Sequence, residues 1–170
     1  MNPNVTYFKE AGYGMMMHFG LYSLLSGEYK GKPSSAYAEW IGAYHAIPIA
    51  EYEKLASVFN PIYFDAEEIV CLAKEVGMKY LVVTTKHHDG FALFRSKVDA
   101  YNVYDATPCK RDLIGELAAA CQKHGLKLGF YYSQDLIGCE LGAATKNVMG
   151  IAAGMLDGGG YTTLKGPLMA

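Results

Sequence analysis

Two stretches of this chain repeat one unit, a capped amphipathic helix that ends at a glycine and leads at once into a short β-rich run. In the first, Asp65-x-x-Glu68 has the spacing of a capping box, Ile69, Leu72, Ala73 and Val76 follow at helical intervals, and Gly77 ends the helix. The run Tyr80-Leu81-Val82-Val83-Thr84-Thr85 comes next. In the second, Asp112 opens a helix through Leu113, Leu117, Ala120 and Cys121 to Gly125, which delivers the chain into residues 126–132, LKLGFYY. The terminating glycines lie 48 residues apart (125 minus 77), room for one strand, one long loop and one helix. Such a repeat predicts an α/β fold with a parallel sheet and right-handed crossovers.

A third strand is expected earlier, through Gly14-Met15-Met16-Met17 into His18. All three predicted strands finish in polar or aromatic residues: His18, then His87-His88-Asp89-Gly90, then Tyr132. The active-site end of a parallel α/β barrel has this pattern, a β-rich run that stops at a sharp turn bearing functional groups. Two adjacent imidazoles can donate to or accept from the hydroxyls of a small polar ligand. They can also simply bond backbone at a strand end. A metal site is the weaker reading, because no His-x-His or His-Glu-x-x-His spacing accompanies them.

Glu39 and Trp40, the latter the only tryptophan, follow a loop rich in Gly, Ser, Lys and Pro from Ser26 to Ser35. A carboxylate beside an indole suits a sugar, the one accepting from hydroxyls and the other covering an apolar face. A tryptophan packed under a loop would look the same. Tyr131 and Tyr132 must point to opposite faces of their strand, so only one can serve a site. His45 and His124 read as structural or solvated, and Cys71 and Cys121 as thiols on buried helix faces.

With 170 residues one domain is the natural size, and a net charge of −2 without a long basic run offers no footprint for nucleic acid or an anionic membrane. The N-terminus lacks a basic start and an apolar core, so a cytoplasmic location is expected. Composition changes late in the chain. From Gly138 to Gly160 there are seven glycines and four alanines but only three charged residues. Residues 1–136 are therefore read as one unit and 137–170 as a divergent Gly/Ala-rich tail that packs on, or exchanges with, another subunit. Parallel strands that need cover on both faces, with their edges open, lead to the expectation of a homo-oligomer.

Taken together, the motifs from about Tyr7 to Ser133 resemble the α-L-fucosidases, retaining glycoside hydrolases. The resemblance rests on Phe8-Lys9-Glu10-Ala11-Gly12-Tyr13-Gly14-Met15, His18-Phe19-Gly20-Leu21-Tyr22-Ser23, Glu39-Trp40, the segment from Tyr52 to Phe59, Thr85-Lys86-His87-His88-Asp89-Gly90-Phe91, Tyr101-Asn102-Val103, Lys110-Arg111-Asp112-Leu113 and Gly129-Phe130-Tyr131-Tyr132-Ser133, in that order. It implies a (β/α) barrel, partial or open because an eight-stranded one typically takes about 250 residues. It also implies that His18, Glu39, His87 and His88 bond the fucose hydroxyls, that Trp40 lies by the sugar and that Tyr132 lines the same pocket. The substrate implied is a terminal α-L-fucosyl residue of a glycoside or glycan, with no cofactor and no metal.

Family members carry their nucleophilic aspartate and acid/base glutamate beyond the third strand, where this sequence departs from the pattern. Retaining hydrolysis needs both carboxyl groups, roughly 5–5.5 Å apart. Asp157, in Leu156-Asp157-Gly158, is a nucleophile candidate, with a glycine-rich turn as the plainer reading. No glutamate follows Glu140, and the acid/base group is unassigned. Two classes of function stay open: an α-L-fucosidase, and a fucose-binding fragment without turnover. A metal-dependent hydrolase trails both.

Overall fold

A computed structural model describes residues 3–133. Helix α1 (Pro3–Ala11) precedes strand β1 (Met15–Met17), and a small antiparallel hairpin, β2 (Glu28–Tyr29) and β3 (Lys32–Pro33), follows. Short helices α2 (Ile41–Tyr44) and α3 (Ile49–Tyr52) lead to α4 (Ala66–Glu75), β4 (Tyr80–Lys86), α5 (Leu113–His124) and β5 (Lys127–Tyr132). Strands β1, β4 and β5 form one parallel sheet in that spatial order. No helix among the described residues is long and apolar enough to cross a membrane.

The two repeated units are built alike. Asp65 accepts a bond from the Glu68 N–H at 3.0 Å and Asp112 one from the Gly115 N–H at 2.8 Å, each satisfying an amide that the first helical turn leaves without a partner. Both helices close with a left-handed glycine, Gly77 at φ 84° and Gly125 at φ 65°. The next N–H in each case bonds back, Met78 to the Ala73 carbonyl at 2.9 Å and Leu126 to that of Cys121 at 3.0 Å. The chain is thus turned directly into the following strand.

Register sorts the strand residues into two faces. Met15, Leu81 and Leu128 align, as do Met17, Val83 and Phe130, and these pack with Val70, Ala73, Leu117, Ala120 and Cys121 of the helices. The opposite face carries Met16, Val82 and Gly129 in one row, with Thr84 beside Tyr131 in the next. Leu81, Val82 and Val83 are fully buried, as strands covered on both faces require. A second part of the core lies under the long connections, where Leu21, Tyr22, Ile41, Tyr52, Phe59 and Phe91 are buried.

The helix face differs from expectation in α4. Its buried stripe is Ala66, Val70 and Ala73, while Leu72 and Val76 are exposed. Cys71 is exposed too, because two residues from Ala73 is roughly 200° around the helix. Only Cys121 is the buried thiol that the pattern implied, and burial pushes it up to about 11. Of the two readings of His124, structural or solvated, the structure gives the first: it ties the helices together, its Nε2 lying 2.5 Å from Glu67 Oε1.

Candidate functional site

The carboxyl ends of β1 and β4 and the short helical segment Ala38–Trp40 bring the predicted residues together. His18 leaves β1 at the point where Phe19 is pinned to β4, its N–H donating to Thr84 Oγ1 at 3.2 Å and its carbonyl accepting from the same hydroxyl. His87 and His88 leave β4 in a turn closed by the Gly90 N–H to the His87 carbonyl at 3.1 Å, with Gly90 at φ 75°. Asp89 holds that turn. Its carboxylate accepts from the Phe91 N–H at 3.1 Å and from the Tyr52 hydroxyl at 3.0 Å.

Within the cluster, His18 Nε2 lies 3.8 Å from Glu39 Oε1, and the His18 and His87 rings are 5.5 Å apart. The His87 and His88 rings meet edge to face at 4.3 Å, and Trp40 packs 4.1 Å from His88. His87 and His88 are buried, Trp40 and Glu39 half-buried, and His18 exposed. His18, Glu39, Trp40, His87 and His88 are therefore brought together in one cluster.

Tyr132 is the exception. Its place beside Lys86 in the register puts it on the face opposite Tyr131, and it is exposed. The ring that meets the imidazoles belongs to Tyr131, stacked 5.2 Å from His87 with its hydroxyl 3.4 Å from His88 Nε2. Alternation alone gives the choice between two tyrosines but not its outcome. A register shift between Thr84 and Lys86 hides it further, adding one residue to β4 just before the histidines. Tyr22, 5.6 Å from His87 and 3.2 Å from Thr84 Oγ1 by its hydroxyl, also walls the cluster and gave no periodic signal.

Burial sets the electrostatics. It pushes His87 down to about 3, with His88 and His18 adding to the shift, and it lowers His88 against the opposing pull of Glu39. His87 is thus neutral at pH 7, offering one N–H and one acceptor nitrogen. Its Nδ1 is buried without a hydrogen-bond partner among the described residues. Asp89 is pushed up to about 6 by the same desolvation, and Tyr52 and Tyr101 rise beside it. A cavity of about 200 Å³ adjoins the cluster, lined in part by Glu39, Trp40, Ile47, Tyr52, His88 and Tyr101.

The His88 imidazole, the Glu39 carboxylate and the Trp40 indole line this small cavity, a combination that can grip a ring carrying several hydroxyls. The fold also assembles a donor set that sequence spacing does not show, with ligand atoms of His18, Glu39 and His87 within 4.8 Å of one another. Two imidazoles and a carboxylate are a set that zinc can use. Asp157, Glu140 and the tail from 137 to 170 lie outside the described residues.

Comparison with known proteins points one way for most of the chain. Residues 1–146 match the family model of α-L-fucosidase, and residues 135–166 match that of the NAD-dependent glycerol-3-phosphate dehydrogenase C-terminus. The tissue α-L-fucosidase of Rattus norvegicus is 35% identical over 139 residues, which is 77% of this chain and 30% of that protein. The α-L-fucosidase AlfC from Lactobacillus casei, solved in complex with α-L-fucose product, is 72% identical with a TM-score of 0.76, over 79% of this chain and 42% of that one. An α-L-fucosidase from Bacteroides thetaiotaomicron gives 40% identity and a TM-score of 0.73, over 78% and 30%. The chain spans about three-tenths of the length of the curated relatives it matches.

Proposed function

This chain belongs to the α-L-fucosidase family, and from that premise we propose that its described part is the sugar-gripping front of a retaining glycoside hydrolase for terminal α-L-fucosyl residues. One observation carries the reading: the buried, neutral His87, its Nδ1 without a partner among the described residues, stands beside His88 and His18 at the ends of adjacent strands. A fucose hydroxyl can pair with the neutral imidazoles gathered at these strand ends. Glu39 accepts from hydroxyls that the imidazoles leave, Trp40 covers an apolar edge of the ring, and Tyr131 fixes the plane of His87.

In this proposal the parallel sheet of β1, β4 and β5 serves as the first three strands of a (β/α) barrel, with the site at its carboxyl end. Among the described residues β1 and β5 each have a partner strand on one side only. The remaining walls come from sequence beyond the described residues or from a second copy in a homo-oligomer. Asp157 is the proposed nucleophile, and a retaining mechanism needs an acid/base carboxyl beside it.

A chromogenic aryl α-L-fucoside, with free fucose as competitor, tests the reading on the full chain. Turnover with retained anomeric configuration supports the hydrolase. Competition without turnover supports the alternative, a fucose-binding fragment. Neither binding nor turnover overturns both, and activity abolished by a chelator moves His18, Glu39 and His87 to a metal role.

A further inference from the structure

Across the outer surface of the two long helices lies a group of side chains that the sugar site does not use. Glu67 stands in the first turn of α4 and Cys71 four residues later, so both share one face of that helix. His124, the last residue of α5, reaches them from the neighbouring helix. Its Nε2 is 2.5 Å from Glu67 Oε1 and 3.7 Å from Cys71 Sγ, and all three donors lie within 4.8 Å of one another.

We propose that Glu67, Cys71 and His124 form a site for a borderline-soft divalent cation of the zinc type, clamping α4 to α5. A tetrahedral zinc with a bond of about 2.3 Å to sulfur and about 2.0 Å to imidazole holds those two atoms roughly 3.5 Å apart. The observed 3.7 Å is close to that, while the His124–Glu67 pair, 2.5 Å apart in its hydrogen bond, must open to roughly 3.3 Å to share the metal. The thiolate donor selects against magnesium and calcium, which take oxygen ligands. The backbone at His124 is already held, since Lys74 Nζ donates to its carbonyl at 2.5 Å.

Two further adjustments accompany binding. Lys123, whose Nζ sits 2.5 Å from Glu67 Oε1, must give up the carboxylate, and its side chain is 66% exposed and free to swing into solvent. The Cys71 thiol releases its proton as sulfur bonds the metal, so affinity rises with pH. Three protein donors leave the fourth position for water. None of the three is a residue of the sugar site.

Cobalt(II) titrated into the full chain reads the site directly, because a cobalt–thiolate bond gives a near-ultraviolet charge-transfer band that oxygen and nitrogen donors do not. One equivalent should saturate the band. Cys71→Ser should abolish it, and His124→Ala and Glu67→Gln should weaken cobalt binding more than ~10-fold. Lys123→Ala should tighten binding, and His18→Ala should leave the band unchanged. Circular dichroism of each variant checks that the helices persist. No band at a tenfold excess of cobalt, or a band that survives Cys71→Ser in the folded protein, overturns the proposal.

Discussion

Tyr131 stacks on His87 at 5.2 Å with 25° between the ring planes, and so one strand fixes the orientation of the imidazole that the next strand presents. The Tyr131 hydroxyl lies 3.4 Å from His88 Nε2, which makes a single side chain the back wall of both histidines. Tyr131→Phe keeps the stack and loses only the hydroxyl, so it should cost about 0.5–1.5 kcal/mol. Tyr131→Ala opens a cavity in a buried position and should cost about 3–5 kcal/mol. Urea denaturation of both variants measures the difference, and equal losses would remove the stack from the account.

His87→Ala and His88→Ala should each weaken fucose binding by about 1–3 kcal/mol, the scale of a buried partner group lost from a hydrogen-bonded site. Calorimetry with free fucose reports this. Unchanged affinity in both variants would send the site elsewhere.

Acid should weaken the fold through the histidines and strengthen it through Asp89. His87 sits near 3 in the folded protein against an ordinary 6.5, so the unfolded chain binds more protons between those values. Stability from this group is complete above pH 6.5 and falls by about 1.4 kcal/mol per unit as pH drops toward 3. His88 acts in the same direction. Asp89 is raised from 3.8 to about 6, so its contribution is complete below 3.8 and is lost as pH rises through 6. The two trends oppose each other between about pH 4 and 6. Asp89→Asn removes the counterweight, and denaturation curves across that range should then fall more steeply with acid than for the parent chain. Parallel curves would contradict the opposition.

At the other end of the sheet, a Cβ added to Gly14 would lie 2.4 Å from the Tyr80 ring. Gly14→Ala should therefore destabilise the start of β1 against β4, by about 1–3 kcal/mol as overpacking does. In a Tyr80→Ala background the same change should cost much less, because the ring it strikes is gone. Thermal unfolding of the single and double variants tests whether the clash is its source.

The sheet was legible in the sequence because its causes are local: Asp65 and Asp112 as caps, Gly77 and Gly125 as stops, apolar runs directly after. His18, His87 and His88 were legible for the same reason, each standing at the end of such a run. Tyr131 was not, since the choice between two neighbouring tyrosines rests on cross-strand register and on the extra residue in β4. Cys71 was misplaced because periodicity fixes the spacing of a helical stripe and not its rotation about the axis. The joint site of His18, Glu39 and His87 needs three segments at once, which no spacing rule contains.

Strand order in the sheet repeats strand order along the chain, β1 beside β4 beside β5. During synthesis, then, no later strand has to push between earlier ones. A cost remains in time. From Lys86 to Tyr132 the ribosome must add 46 residues (132 minus 86), several seconds at roughly 5–20 residues per second. Throughout that delay β4 stands with one edge bare and Leu81, Val82 and Val83 waiting for α5 and β5, which makes it the interval in which a nascent chain is most open to capture by a chaperone or by another copy of itself.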